Sequence, residues 1–387
     1  MRKVYLDNNA TTRMREEVFD AMLPFCKDVY GNASSIHQFG RPARVAVDKA
    51  RQLVAGLLGA SSPEEIIFTS GGTESDNFAI KGVAHALAGK GNHIITSAIE
   101  HSAVLNASRA LEKDGYKVTY LPVDGYGFIN LDDLKSAITD KTVLISIMYA
   151  NNEVGTIEPI REIGAIAKER GIYFHTDAVQ AVGKAVFAVK GLPVDLVSMS
   201  AHKIYGPKGV GAIYIKKGTR IDAIMHGGHH EMNKRAGTEN VPGLIGLGKA
   251  AELSGKEAPE EIVRLRKMRD YLCKGIASKI AHTRINGDPD RTLPNTANIG
   301  FKYLEGESIM LNLDMEGIAV STGSACTSGT LEPSHVLTAM GIDAADAQGS
   351  IRFSLGRDNT KEDMDYVLEI LPPIIQRLRD MSPLYEK

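Results

Sequence analysis

Val194-Asp195-Leu196-Val197-Ser198-Met199-Ser200-Ala201-His202-Lys203-Ile204-Tyr205-Gly206-Pro207-Lys208-Gly209 joins a short apolar run to a lysine and a glycine-rich turn. The first half reads as a buried strand, so Lys203 stands at a strand end with His202 beside it. Open α/β sheets place their chemistry at strand ends. A lysine can form a Schiff base with a carbonyl cofactor. It can equally snorkel from a strand terminus, so the rest of the chain must decide.

Working outward, apolar runs recur at Glu65–Thr69, His93–Ser97, Lys117–Leu121, Thr142–Ile147, Ile172–Thr176, Leu196–Ser200 and Val210–Ile215. Helical patterns separate most of them, as at Ser75–Leu87, Ala103–Lys113 and Ile160–Arg170. Near-continuous apolar strands between helices predict a mainly parallel sheet covered on both faces. A charged helix over Ala258–Ile280 changes the rhythm. Strand-like Thr296–Phe301 and Ser350–Ser354 follow, then a closing helix near Lys361–Arg379. The expected fold class is α/β, with a large domain over residues 15–257 and a smaller α+β domain from residues 1–14 and 258–387.

The 387 residues carry 45 Lys+Arg against 47 Asp+Glu, a formal net charge of -2. Nothing in that balance favours nucleic acid or an anionic membrane as partner. No apolar run approaches a membrane span, and Met1–Asp7 lacks a signal-peptide core, so the expected location is cytoplasmic. The three cysteines, Cys26, Cys273 and Cys326, are scattered and odd in number, which excludes a disulfide framework or thiolate zinc site. Cys26 and Cys273 fall in amphipathic patterns and read as packing residues. His226, His229 and His230 lack carboxylate or thiolate companions at ligand spacing, so no metal is expected.

Polar signatures collect at four strand ends. Thr69-Ser70-Gly71-Gly72-Thr73-Glu74-Ser75 is a glycine turn opening a helix. Free N–H groups and the helix dipole make such a turn an anion site, although Ser70 or Thr73 could simply cap the helix. Ala98-Ile99-Glu100-His101-Ser102-Ala103 sets a histidine between strand and helix, a place that also suits a cap. His175-Thr176-Asp177-Ala178-Val179-Gln180 puts Asp177 at the mouth of an apolar strand, where a carboxylate needs a cationic partner. Ser200 to Lys203 is the fourth. A lysine, a buried aspartate and a helix N-terminus with hydroxyls together make the environment of pyridoxal 5'-phosphate, whose protonated ring nitrogen needs a carboxylate.

The fifth feature is Ser321-Thr322-Gly323-Ser324-Ala325-Cys326-Thr327-Ser328-Gly329. Cys326 has no apolar frame and reads as a loop thiol available as nucleophile.

With Tyr5–Thr12, Asn151-Asn152-Glu153, Arg235-Ala236-Gly237-Thr238-Glu239-Asn240 and Ser350–Gly356, these motifs run in order from Tyr5 to Leu384. The chain resembles NifS-type (also called IscS-type) cysteine desulfurases, of the aspartate aminotransferase-like fold of pyridoxal phosphate-dependent transferases. The resemblance implies that Lys203 holds the cofactor as a Schiff base. His101 stacks on its ring and assists proton transfers, Asp177 pairs with the ring nitrogen, and Gln180 with the phenolic oxygen. Gly72, Thr73, Ser200 and His202 hold the phosphate, joined by Thr238 from the partner subunit of a homodimer. Asn152 and Arg352 bind the substrate carboxylate, which a bidentate guanidinium suits. Cys326, on a loop of about 321–333, accepts the sulfur of L-cysteine as a persulfide while L-alanine leaves.

The sulfur would then pass to an iron–sulfur scaffold or another acceptor protein. Cys326 favours this reading over selenocysteine elimination, which can proceed without an acceptor thiol. Intact Lys203, Asp177, His101, Arg352 and Cys326 speak against a non-catalytic relay. Three places depart from the family pattern: Ala33 stands where proline is common, Thr322 where serine is, and His229–Arg235 is altered. The chain stops soon after Tyr385, without the longer tail some relatives use to dock a scaffold.

Overall fold

The computed structural model describes residues 2–322, 333–383 and 385. The chain opens with β1 (Val4–Tyr5) and two helices, Glu16–Lys27 and Gly40–Leu58. A sheet then forms from β2 (Ile66–Thr69), β3 (His93–Ser97), β4 (Lys117–Leu121), β5 (Thr142–Ser146), β6 (Tyr173–Asp177), β7 (Leu196–Ser200) and β8 (Gly211–Ile215). Its order is β2-β8-β7-β6-β5-β3-β4. All pairs are parallel except the two that β8 makes, with β2 and with β7. Two apolar clusters cover it, one carrying Ile95, Ile145, Phe174 and Val197, the other Ile67, Ile94, Leu144 and Leu196. Successive residues of each strand thus point to opposite covered faces, which is why these strands read as unbroken apolar runs.

One glycine matters to the site. A Cβ on Gly211 of β8 would lie 2.6 Å from Gly71 Cα, so the turn after β2 docks only on a bare backbone.

The helix expected to start at Ala258 begins instead at Val241 and runs to Lys279, with Pro259 inside it. Its start is set by Asn240, whose side chain accepts from Gly243 N at 3.2 Å. Leu244 and Leu247 belong to the core of the large sheet, whereas Leu265, Leu272 and Ile276 belong to a separate core. The change of rhythm near Ala258 therefore marks a change of neighbours, not an element boundary. The second core backs β9 (Thr283–Asn286), β10 (Thr296–Phe301), β12 (Ser321–Thr322) and β13 (Ser350–Ser354), an antiparallel sheet in the order β12-β13-β10-β9. Beside it β1 pairs in parallel with β11 (Ile318–Ala319). The closing helix spans Lys361–Met381 and buries Met364, Val367 and Leu371 in the same core. Among the described residues no helix is long and apolar enough to cross a membrane. Cys273 packs against the second core as expected, but Cys26 is exposed and is not a packing residue.

Candidate active site

β8 runs opposite to β2 and to β7, so β2, β3, β5, β6 and β7 all point their C-terminal ends the same way. A cavity of about 310 Å³ opens along that edge. Gly72, Thr73, His101, Asn152, Asp177, Gln180, Ser200, His202, Lys203 and Arg352 all line it. Thr238 does not line the cavity of its own chain and is exposed. Cys326 lies outside the described residues.

Gly72 opens the helix Gly72–Ala86, and a Cβ there would meet Val179 Cγ2 at 2.8 Å. The turn after β2 is therefore pressed against the segment after β6. The first N–H groups of a helix lack intrahelical acceptors. Neither Ser70 nor Thr73 caps the helix; Gly71 holds the cap position. Glu74 fixes the turn instead, accepting from Ser70 N at 2.7 Å and pairing with Arg235 at 2.8 and 3.2 Å. Arg235 ties this turn to the segment that carries Thr238.

His101 does cap its helix, Ser102–Lys113, with Nδ1 accepting from Ala103 N at 3.1 Å. That bond occupies the Nδ1 lone pair, so the neutral ring carries its proton on Nε2. Burial pushes the ring below the usual histidine value, against the pull of Asp177. His202 is held down to about 4, by burial first and then by the cations Lys203, Lys208 and Lys184.

Asp177 ends β6 and takes Val179 N at 2.8 Å. Burial raises its pKa, opposed by His101, that N–H and Lys203. A second carboxylate, Asp76, lines the same cavity; its Oδ1 has no hydrogen-bond partner among the described residues. Burial and Asp177 hold its pKa well above the carboxylate range. His175 packs nearby, its Nε2 3.7 Å from Asp76 Oδ1, and burial takes it down to about 3. The ring is thus neutral and offers no counter-charge. Two neighbouring buried carboxylates, with pKa values raised by burial and a neutral His175 beside them, fit a cationic ring nitrogen.

Lys203 Nζ donates to the carbonyls of Asn9 and Ala10, the latter at 2.8 Å. Asn9 is the residue that sequence reasoning missed most plainly. It joins both sheets: its Nδ2 donates to Thr296 Oγ1 at 2.8 Å and Asn152 O at 3.1 Å, and its carbonyl accepts from Gln180. It stands inside the quoted run Tyr5–Thr12, so the signal was present without a chemical role to single it out.

Arg352 Nη1 donates to Asn152 O at 3.0 Å and Nη2 to Asp7 Oδ1 at 2.8 Å. Its Nε is buried with no hydrogen-bond partner among the described residues. A guanidinium with donors to spare fits a carboxylate. The flanks of the Cys326 segment meet here. Ser321 pairs with Arg352 across β12 and β13, and Ser334 Oγ donates to Glu153 Oε2 at 2.5 Å. Burial pushes Glu153 up to about 7, opposed by Ser334 and Arg352.

Comparison with known proteins agrees with this geometry. The class-V aminotransferase family matches residues 4–367. A cysteine desulfurase IscS of Dictyoglomus turgidum is 58% identical over 99% of this chain and 97% of its own length. One from Methanosarcina thermophila is 56% identical over 99% and 95%. Among solved structures, a NifS-like protein superposes with a TM-score of 0.92 at 42% identity, covering 97% of this chain and 100% of its own. SspA in complex with cysteine gives 0.82 at 36%, over 91% and 99%. With such relatives along nearly its whole length, the chain belongs to the class-V aminotransferases and, within them, to the cysteine desulfurases.

Proposed function

We propose that this protein takes sulfur from L-cysteine, releases L-alanine and carries the sulfur on Cys326, using pyridoxal 5'-phosphate. The observation that carries the reading is the meeting of Thr73, Asp177, Lys203 and Arg352 in one cavity from four distant stretches of chain. The relatives named cysteine desulfurase and the neighbour in complex with cysteine support the substrate.

Bound pyridoxal phosphate supplies an aldehyde that condenses with amines and a protonated ring that takes up electron density. The residues divide the remaining work. Gly72, Thr73, Ser200 and the neutral His202 hold the phosphate, where backbone N–H groups and the helix dipole favour an anion. Asp177 pairs with the ring N–H, which offsets the cost of burying its charge. Gln180 would donate to the phenolic oxygen, and His101 would lie against the ring with Nε2–H available for proton transfer. Arg352 and Asn152 orient the substrate carboxylate. Lys203 would hold the cofactor, and its Nζ, as a free amine, would be the base that removes the substrate Cα proton.

The Cys326 thiolate then attacks the substrate sulfur. An S–S bond forms, the Cβ–S bond breaks, and its electron pair stays with the carbon skeleton, which is protonated to alanine. The enzyme is left as a persulfide, to be passed to an iron–sulfur scaffold or another acceptor protein. We assign residues 15–257 to a cofactor-binding domain and residues 1–14 with 258–387 to a small domain bearing the loop of about 321–333. Two separate apolar cores support that division. Exposed Thr238, linked to the phosphate turn through Arg235, suits a homodimer in which it completes the neighbour's site. The reading also places the protein in the cytoplasm.

The test is to load the protein with cofactor, reduce it with borohydride and map the modified peptide. Modification at Lys203, absent in Lys203→Ala, supports the reading. Failure of the wild type to form a chromophore, or labelling at another lysine, rejects it.

A further inference from the structure

Lys184 is a buried lysine that the mechanism above does not use. It is 7% exposed and stands behind the cavity wall rather than in it. Its Nζ lies 2.9 Å from Gln180 Oε1 and 3.3 Å from Asn9 Oδ1. No carboxylate pairs with it among the described residues; the charges facing it are the cations Lys203 and Arg352. Burial and those two cations hold its amine well below the ordinary lysine value. In either protonation state the amine has at least two N–H donors, and two oxygens are in reach.

The bonds around Gln180 fix its amide. Nε2 donates to Asn9 O at 2.9 Å while Oε1 accepts from Lys184. The flipped amide would set its oxygen against the Asn9 carbonyl, a repulsive contact, and would take the acceptor Oε1 away from the Lys184 N–H. Asn9 Oδ1 is itself held by Asn295 Nδ2 at 3.0 Å, so the frame that carries Lys184 is rigid.

We propose that Lys184 is a positioning residue that locks the Gln180 amide with its N–H edge, not its carbonyl, available to the phenolic oxygen of the cofactor. The inference rests on the cofactor reading given above.

A donated N–H favours the more anionic form of the bound chromophore and so lowers the pH midpoint of its visible absorbance; losing the bond raises it. The experiment titrates that midpoint in cofactor-loaded wild type, Lys184→Met, Gln180→Leu and the double variant. Lys184→Met is expected to raise the midpoint by on the order of 1 pH unit. In the Gln180→Leu background the same change adds nothing, because the lysine acts through the amide. An unmoved midpoint in Lys184→Met, or shifts that add in the double variant, overturns the proposal. Lys184→Gln, neutral but still a donor, keeps the test decisive if Lys184→Met does not fold. A midpoint near wild type supports the proposal, and a raised one overturns it. A wild type that forms no chromophore rejects the cofactor reading, a result distinct from any of these.

Discussion

Arg51 and Glu231 are as deeply buried as Asp177 and Arg352, yet the two sites are finished differently. Arg51 donates to both oxygens of Glu231, at 2.6 and 2.7 Å, and to Ile66 O at 2.7 Å. Glu231 also takes Phe68 N at 2.8 Å, and the guanidinium lies 4.5 Å over the Phe68 ring. To hold that carboxylate the chain accepts three successive left-handed residues, with φ 45, 54 and 63 at Glu231, Met232 and Asn233. Such backbone costs about 1–3 kcal/mol per residue. At the cavity, Asp76 Oδ1 and Arg352 Nε have no hydrogen-bond partner among the described residues, and neither has Oε2 of Glu100, the residue before His101. A closed charge pair holds structure together. An open one lowers stability and keeps its bonding capacity for a ligand.

The largest break in this contrast comes from the cavity. Lys203→Ala is expected to reduce alanine formation from L-cysteine on the order of 10⁴-fold or more while folding normally. Retention of activity within tenfold of wild type would remove the lysine from the chemistry.

At the closed pair the effect falls on stability. Arg51→Met leaves Glu231 buried and unpaired and should cost about 3–5 kcal/mol in urea unfolding, with cofactor affinity unchanged. A loss below about 1 kcal/mol would mean that the pair is not what holds β2 to the Glu231 segment.

Glu100 sharpens the comparison through pH. Burial pushes it up to about 8, opposed by the hydrogen bonds from Ser97 and Met148 N. Between the unfolded value near 4.5 and about 8 the folded state binds the extra proton. Its contribution is therefore full at low pH and lost as pH rises through that window, a matter of a few kcal/mol. Glu100→Gln should flatten the fall in urea stability between about pH 5 and about pH 8; an unchanged slope would assign the fall to other groups.

The smallest effect has opposite signs for stability and activity. Asp177 also has a raised pKa, so its ionised form costs stability at neutral pH. Asp177→Asn should stabilise the cofactor-free protein by on the order of 1 kcal/mol and still cut alanine formation at least tenfold. Destabilisation with full activity would place Asp177 in the closed class.

What the sequence shows and hides follows the same division. Strands buried on both faces, each followed by a polar turn, give away the sheet and its polar edge; the common place of Lys203, Asp177 and Thr73 on that edge was legible for that reason. The antiparallel β8 was legible in principle, because the ten residues from 201 to 210 are too few for a parallel crossover. Asn9 was not, since its role arises only when the N-terminal segment docks between the two sheets. Lys184 was hidden because lysines are almost never fully buried. Asp76 reads as a polar helix position until the turn before it is folded against Val179. Cys26 misled in the other direction, as an amphipathic pattern does not say how far a helix end projects from the core.

The most direct measurement is alanine and sulfide released from L-cysteine plus a reductant by cofactor-loaded wild type and Cys326→Ala. The account predicts alanine from the wild type and none from the variant, with the chromophore intact in both. Alanine from both proteins, or none from a loaded wild type, would contradict it.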